Sequence, residues 1–72
     1  MRVQVNGETH ELTEGLTLAG LIALLKLAPE RLAVERNREV VRRARWAETE
    51  IAEGDQIEIV HFVGGGNKSS DK

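Results

Sequence analysis

Seventy-two residues suffice for one small domain, which buries only about 60% of the surface its unfolded chain exposes, so its core must be economical. The chain has no cysteine, which excludes disulfides, thiolate zinc sites and a thiol nucleophile and leaves the fold to regular secondary structure and apolar packing. Ten basic residues against twelve acidic ones give a net charge of −2, and one Trp and one Phe offer no base-stacking platform, so a general nucleic-acid binder does not fit. No charged N-terminal segment leads into a long apolar run, and nothing approaches membrane-spanning length; a cytoplasmic protein without a membrane partner is expected.

In chain order, Arg2-Val3-Gln4-Val5 alternates polar and apolar, the period of a half-buried strand. Asn6-Gly7 follows, and both residues tolerate the positive φ of a type I′ turn. Glu8 to Leu12 reads as the returning strand, broken at Glu14-Gly15. Thr17 suits a helix N-cap, because its hydroxyl can accept a bond from an otherwise orphan N–H. Leu18, Leu21, Ile22 and Leu25 fall on one helical face, and Leu24 and Leu27 widen that stripe. Pro29 cannot continue the helix, which should end near Lys26 or Leu27. Gly20 inside it costs roughly 1 kcal/mol relative to Ala, unless close packing requires it.

Leu32 to Arg36 is the next candidate strand, Asn37-Arg38 a turn, and Glu39-Val40-Val41 a short strand. Arg42 to Glu48 is irregular or briefly helical, with Trp46 anchoring it to the core. Glu53-Gly54-Asp55 signals a turn. Gln56 to Val63 is the strongest strand of the chain. Hairpin, helix and two or three further strands predict an α+β fold, one helix covering one face of a mixed sheet of four to five strands. Within the last strand, Ile57 and Ile59 should face the helix, which turns Val60 and Phe62 outward. Apolar side chains on an open sheet face mark a docking surface.

No constellation of side chains suggests catalysis. His10 and His61 lack ligand spacing, so no metal site is expected. No Ser–His–Asp grouping is present, and the glycines form neither G-x-G-x-x-G nor a P-loop, so no bound cofactor is expected. The carboxylates Glu35, Glu39, Glu48, Glu50, Glu53 and Glu58 read as a solvated surface. Arg36, Arg38, Arg42, Arg43 and Arg45 form the one charge cluster, diluted by Glu35 and Glu39 and read as solubility plus local pairing.

The chemistry points instead to the tail. Val60-His61-Phe62-Val63 runs into Gly64-Gly65-Gly66, a thin strip of backbone able to enter an active site that any side chain would block. Residues 1–63 read as the folded domain and 64–72 as a Gly-rich tail with a polar extension. A small α+β body ending this way resembles the ubiquitin-like β-grasp proteins. The hairpin at Asn6-Gly7, Val34-Glu35-Arg36-Asn37 with Glu39-Val40-Val41, and the run Gly54-Asp55-Gln56-Ile57-Glu58-Ile59-Val60-His61-Phe62-Val63-Gly64-Gly65-Gly66 narrow the resemblance to the ThiS family, over residues 1–66.

The resemblance implies a sulfur carrier of thiamine biosynthesis, a protein cosubstrate and not an enzyme. A ThiF-like enzyme, using ATP, would adenylate the C-terminal glycine. A sulfur-donor system would then convert it to a thiocarboxylate, which the thiazole synthase ThiG consumes. Gly66 would carry the sulfur, Gly65 and Gly64 would form the approach, and Val60 and Phe62 would hold the partner enzymes of a carrier that is monomeric when free. As written, the α-carboxylate belongs to Lys72. Either a tail-processing protease cuts after the glycines, or residues 67–72 are foreign to the carrier, or the carrier role has been lost; the mature end is Gly65 or Gly66. A carrier for molybdopterin or tRNA thiolation, and a β-grasp interaction module with an inert tail, are the competing readings.

Overall fold

A computed structural model describes residues 1–62 of the chain. Five strands form one mixed sheet: β1 (Arg2–Val5), β2 (Glu8–Glu11), β3 (Leu32–Arg36), β4 (Glu39–Val41) and β5 (Gln56–His61), in the order β2-β1-β5-β3-β4. The last strand is therefore the central one. It runs parallel to β1, with Val5 beside Ile57, and antiparallel to β3, with Val34 opposite Ile59. One helix, α1 (Leu18–Leu24), packs on one face, and a 3-10 helix over Arg43–Glu48 closes the end of that layer. This is the α+β architecture expected from the sequence. Among the described residues no helix is long and apolar enough to cross a membrane.

The core lies between helix and sheet. Leu18, Leu21 and Ile22 of α1 meet Val3, Val5, Val34, Ile57 and Ile59, all buried, so the period-two and helical patterns converge on one layer. Trp46 is buried as expected, and its indole N–H donates to the Val41 carbonyl at 2.8 Å. Each such side chain contributes roughly 1.5–3 kcal/mol by leaving water. The loop before β5 is tied to the start of the helix, with Leu18 N–H on the Thr49 carbonyl and Ile51 N–H on the Leu16 carbonyl. Gly20 does permit close packing: a Cβ there would meet Leu16 Cδ1 at 2.7 Å.

Thr17 caps α1, its hydroxyl accepting from Gly20 N–H at 3.0 Å. The helix stops earlier than the sequence suggests. It ends at Leu24 because Lys26 takes a left-handed conformation (φ 59°), and Lys26 N–H and Leu27 N–H turn back to the carbonyls of Ala23 and Ile22. These two bonds are a Schellman stop, which normally uses glycine. Lysine gives no such cue, and Pro29 only confirms that the helix is over. With the early stop, Leu24 points to solvent and does not widen the core stripe.

Candidate functional site

Both strand-face assignments for β5 hold. Ile57 and Ile59 are buried against the helix, while Val60 and Phe62 are 52% and 57% exposed on the opposite face. β5 ends at His61, but Phe62 N–H still donates to the Arg31 carbonyl at 2.8 Å, extending the ladder by one bond. That bond joins the last described residue to the 3-10 turn Pro29–Arg31. Val63 and the three glycines Gly64, Gly65 and Gly66 lie outside the described residues, as does the domain boundary read between 63 and 64.

Around Val60 the face is apolar. Ala33 of β3 lies directly opposite it, and Val40 of β4, the most exposed large apolar side chain among the described residues at 70%, is on the same side of the sheet. Val40 was missed as a surface element. Adjacent Val40 and Val41 in one strand must point to opposite faces, which could have flagged one of them, but which one is set by pairing with Glu35 across a turn.

Polar groups behind this face hold β5 in place. Asn6 accepts from Ile59 N–H through Oδ1 at 2.8 Å and donates from Nδ2 to the Ile59 carbonyl at 3.3 Å. At the other end of the strand, Asp55 is buried yet fully engaged. One carboxylate oxygen accepts from Arg36 Nε at 2.7 Å and Ala52 N–H at 2.8 Å, the other from Asn37 Nδ2 at 3.0 Å. Burial alone would raise the Asp55 pKa. The bonds from Ala52, Arg36 and Asn37 outweigh that effect and hold the carboxyl below its ordinary range. Sequence reading saw Asp55 only as a turn residue, since burial of an acid has no local signature.

The arginine cluster divides along these lines. Arg36 is the partner of Asp55, and Arg45 pairs with Glu48 on the surface. No group of three or more metal-ligating side chains occurs among the described residues, where His10 sits 3.8 Å from Glu8 and His61 lies opposite Leu32. An apolar cleft of about 400 Å³ between α1 and the 3-10 helix, lined by Ile22, Leu27, Pro29 and Trp46, lies on the helix layer and not on the sheet face that exposes Val60 and Phe62.

A family model described as "ThiS family" matches residues 3–66, nearly the whole chain and all three glycines. The chain belongs to the ThiS family. Among its relatives, the sulfur carrier protein ThiS of Bacillus subtilis is 40% identical over 65 residues, covering 89% of this chain and 98% of that one. The thiazole synthase of Magnetococcus marinus is 50% identical over 66 residues, which are 92% of this chain but 20% of that protein. This ThiS-family chain thus spans about a fifth of the length of that synthase, and 22% of the thiazole synthase of Paramagnetospirillum magneticum. The crystal structure of the thiamine biosynthesis protein ThiS from Geobacter metallireducens superposes with a TM-score of 0.80 at 36% identity, over 92% of this chain and 100% of that one. The five-stranded sheet on one helix is accordingly the ubiquitin-like β-grasp of the family.

Proposed function

We propose that this chain is a sulfur carrier for thiazole formation in thiamine biosynthesis. The family match over residues 3–66, which takes in Gly64, Gly65 and Gly66, is the observation that carries this reading. The relative named as a sulfur carrier, similar over almost its whole length, supports it. Thiazole synthases that contain a region similar to nearly all of this chain support a carrier and a synthase working at close quarters.

In this reading, hydrolysis of the bond after Gly66 gives that residue the reactive α-carboxylate. A carboxylate is a poor electrophile. A ThiF-like enzyme lets its oxygen attack the α-phosphorus of ATP, pyrophosphate leaves, and an acyl adenylate results. A sulfur nucleophile at the oxidation level of sulfide then adds to the carbonyl carbon. AMP departs with the electron pair of the C–O bond, leaving a thiocarboxylate for the synthase. None of these steps requires a side chain of the carrier, which suits a protein with no cysteine. The carrier's own part is mechanical: a rigid sheet with Val60 and Phe62 exposed for docking, and a slender tail to deliver.

The test is intact-mass analysis of the chain ending at Gly66 after incubation with the adenylating enzyme, ATP and sulfide. One oxygen-for-sulfur exchange is expected, lost when Gly65 and Gly66 are deleted. An unshifted mass, with the enzyme active on its own carrier, overturns the reading. Phe62→Asp should weaken docking to the adenylating enzyme and leave the unfolding transition unchanged, because Phe62 already faces water.

A further inference from the structure

The outward face of the sheet carries two charged register pairs, and they differ. On the β1–β2 half, Arg2 lies opposite Glu11, and Arg2 Nε donates to Glu11 at 2.8 Å, so that pair is neutralised internally. On the β3–β5 half, the register sets Glu35 opposite Glu58. Like charges directly opposite destabilise a sheet. Neither carboxylate enters an ion pair among the described residues. Arg36, next to Glu35 in the chain, is turned to the other face and held by Asp55. The uncompensated pair is bordered by the exposed apolar side chains: Val40 lies across from Glu35, and Val60 lies two residues beyond Glu58 with Phe62 following.

We propose that Glu35 and Glu58 together receive one cationic side chain, a guanidinium above all, from the protein that docks on Val40, Val60 and Phe62. The proposal rests on the sulfur-carrier reading, which supplies thiazole synthase as the partner. Two carboxylates present more acceptor sites than one ammonium can fill, whereas the planar five-donor fork of arginine can bond both at once. Apolar side chains around the pair exclude water when a partner covers them, and a desolvated carboxylate pair without a cation would oppose binding. The pair therefore selects for a basic partner surface. It also discourages stacking of two copies through this apolar face, since each would bring the same negative charge.

The experiment compares the full chain with its Glu35→Gln/Glu58→Gln variant in two readouts, thermal unfolding and binding to purified thiazole synthase at low and high salt. The fold and the site should move in opposite directions. Relief of the repulsion raises Tm by about 2–5 °C, while affinity falls by about tenfold or more and its salt dependence flattens. Affinity unchanged within about twofold overturns the proposal, and so does a lowered Tm, which would assign the carboxylates to the fold. Wild-type chain that does not bind the synthase, while the chain ending at Gly66 takes up sulfur, overturns the proposal and leaves the carrier reading intact. If, in addition, the chain ending at Gly66 takes up no sulfur, both readings are overturned.

Discussion

The sheet has two tight hairpins built on the same device and used differently. Asn6-Gly7 joins β1 to β2 and Asn37-Arg38 joins β3 to β4, and all four residues have positive φ. In each turn the asparagine side chain reaches the central strand. Asn6 holds Ile59 near its end, and Asn37 holds Gln56 at its start, accepting from Gln56 N–H at 2.9 Å. The first hairpin does this with neutral groups and an unstrained glycine. The second places an arginine at φ 72° and adds the buried charge of Asp55. Its hold on β5 is thus the more expensive to build and the more sensitive to protonation. The strand that precedes the glycines in the chain is gripped at both ends by residues whose sequence signature is that of turn punctuation.

The largest effect expected at the second hairpin is from Asp55→Ala. It removes the buried carboxylate that Arg36, Asn37 and Ala52 N–H donate to and should cost about 3 kcal/mol in urea unfolding. A loss clearly larger than that caused by Asn6→Gly would confirm that the two clamps carry unequal loads.

Acid should reveal the same asymmetry. The Asp55 pKa is lowered in the folded chain, so its bonds stabilise fully above the ordinary carboxylate range, about pH 4. That stability is lost as pH falls through the lowered pKa. Unfolding midpoints measured from neutral pH downward should therefore drop more steeply for wild type than for Asp55→Asn. Parallel curves would remove Asp55 from the account.

Asn6→Gly and Asn37→Gly keep the turns free of strain and delete only the side-chain bonds, each at about 1–2 kcal/mol. Combined with Asp55→Asn, the Asn37 change should be non-additive by more than about 0.5 kcal/mol, whereas the Asn6 change should add. Equal coupling would mean that the two ends of β5 are not independent.

The smallest effect is a gain. Arg38→Gly relieves a left-handed non-glycine residue and should stabilise by about 0.5–1 kcal/mol. Chemical denaturation resolves a shift of that size, and no gain would mean that Arg38 makes a compensating contact.

Patterns carried by neighbouring residues are legible in the sequence. The alternation of Gln56-Ile57-Glu58-Ile59 assigns the faces of β5, and Asn6-Gly7 the first hairpin, because period and positive φ are local properties. The exit of α1 is not legible there, since the left-handed Lys26 accompanies the bonds that return Lys26 N–H to Ala23 and Leu27 N–H to Ile22 and does not reflect lysine's own preference. Nor was Asp55, whose partners lie 18 and 19 residues away in Asn37 and Arg36.

By itself, then, the sequence determined an α+β domain with no cysteine chemistry, a core of aliphatic side chains at helical and strand spacing, and a glycine tail behind an outward Val60 and Phe62. Those features depend on spacing along the chain. Tertiary structure alone decided that the last strand is central and parallel to the first, that two asparagines clamp it, and that Glu35 meets Glu58. Each of these is a register between segments far apart in the chain, and register is fixed by which faces can be buried together.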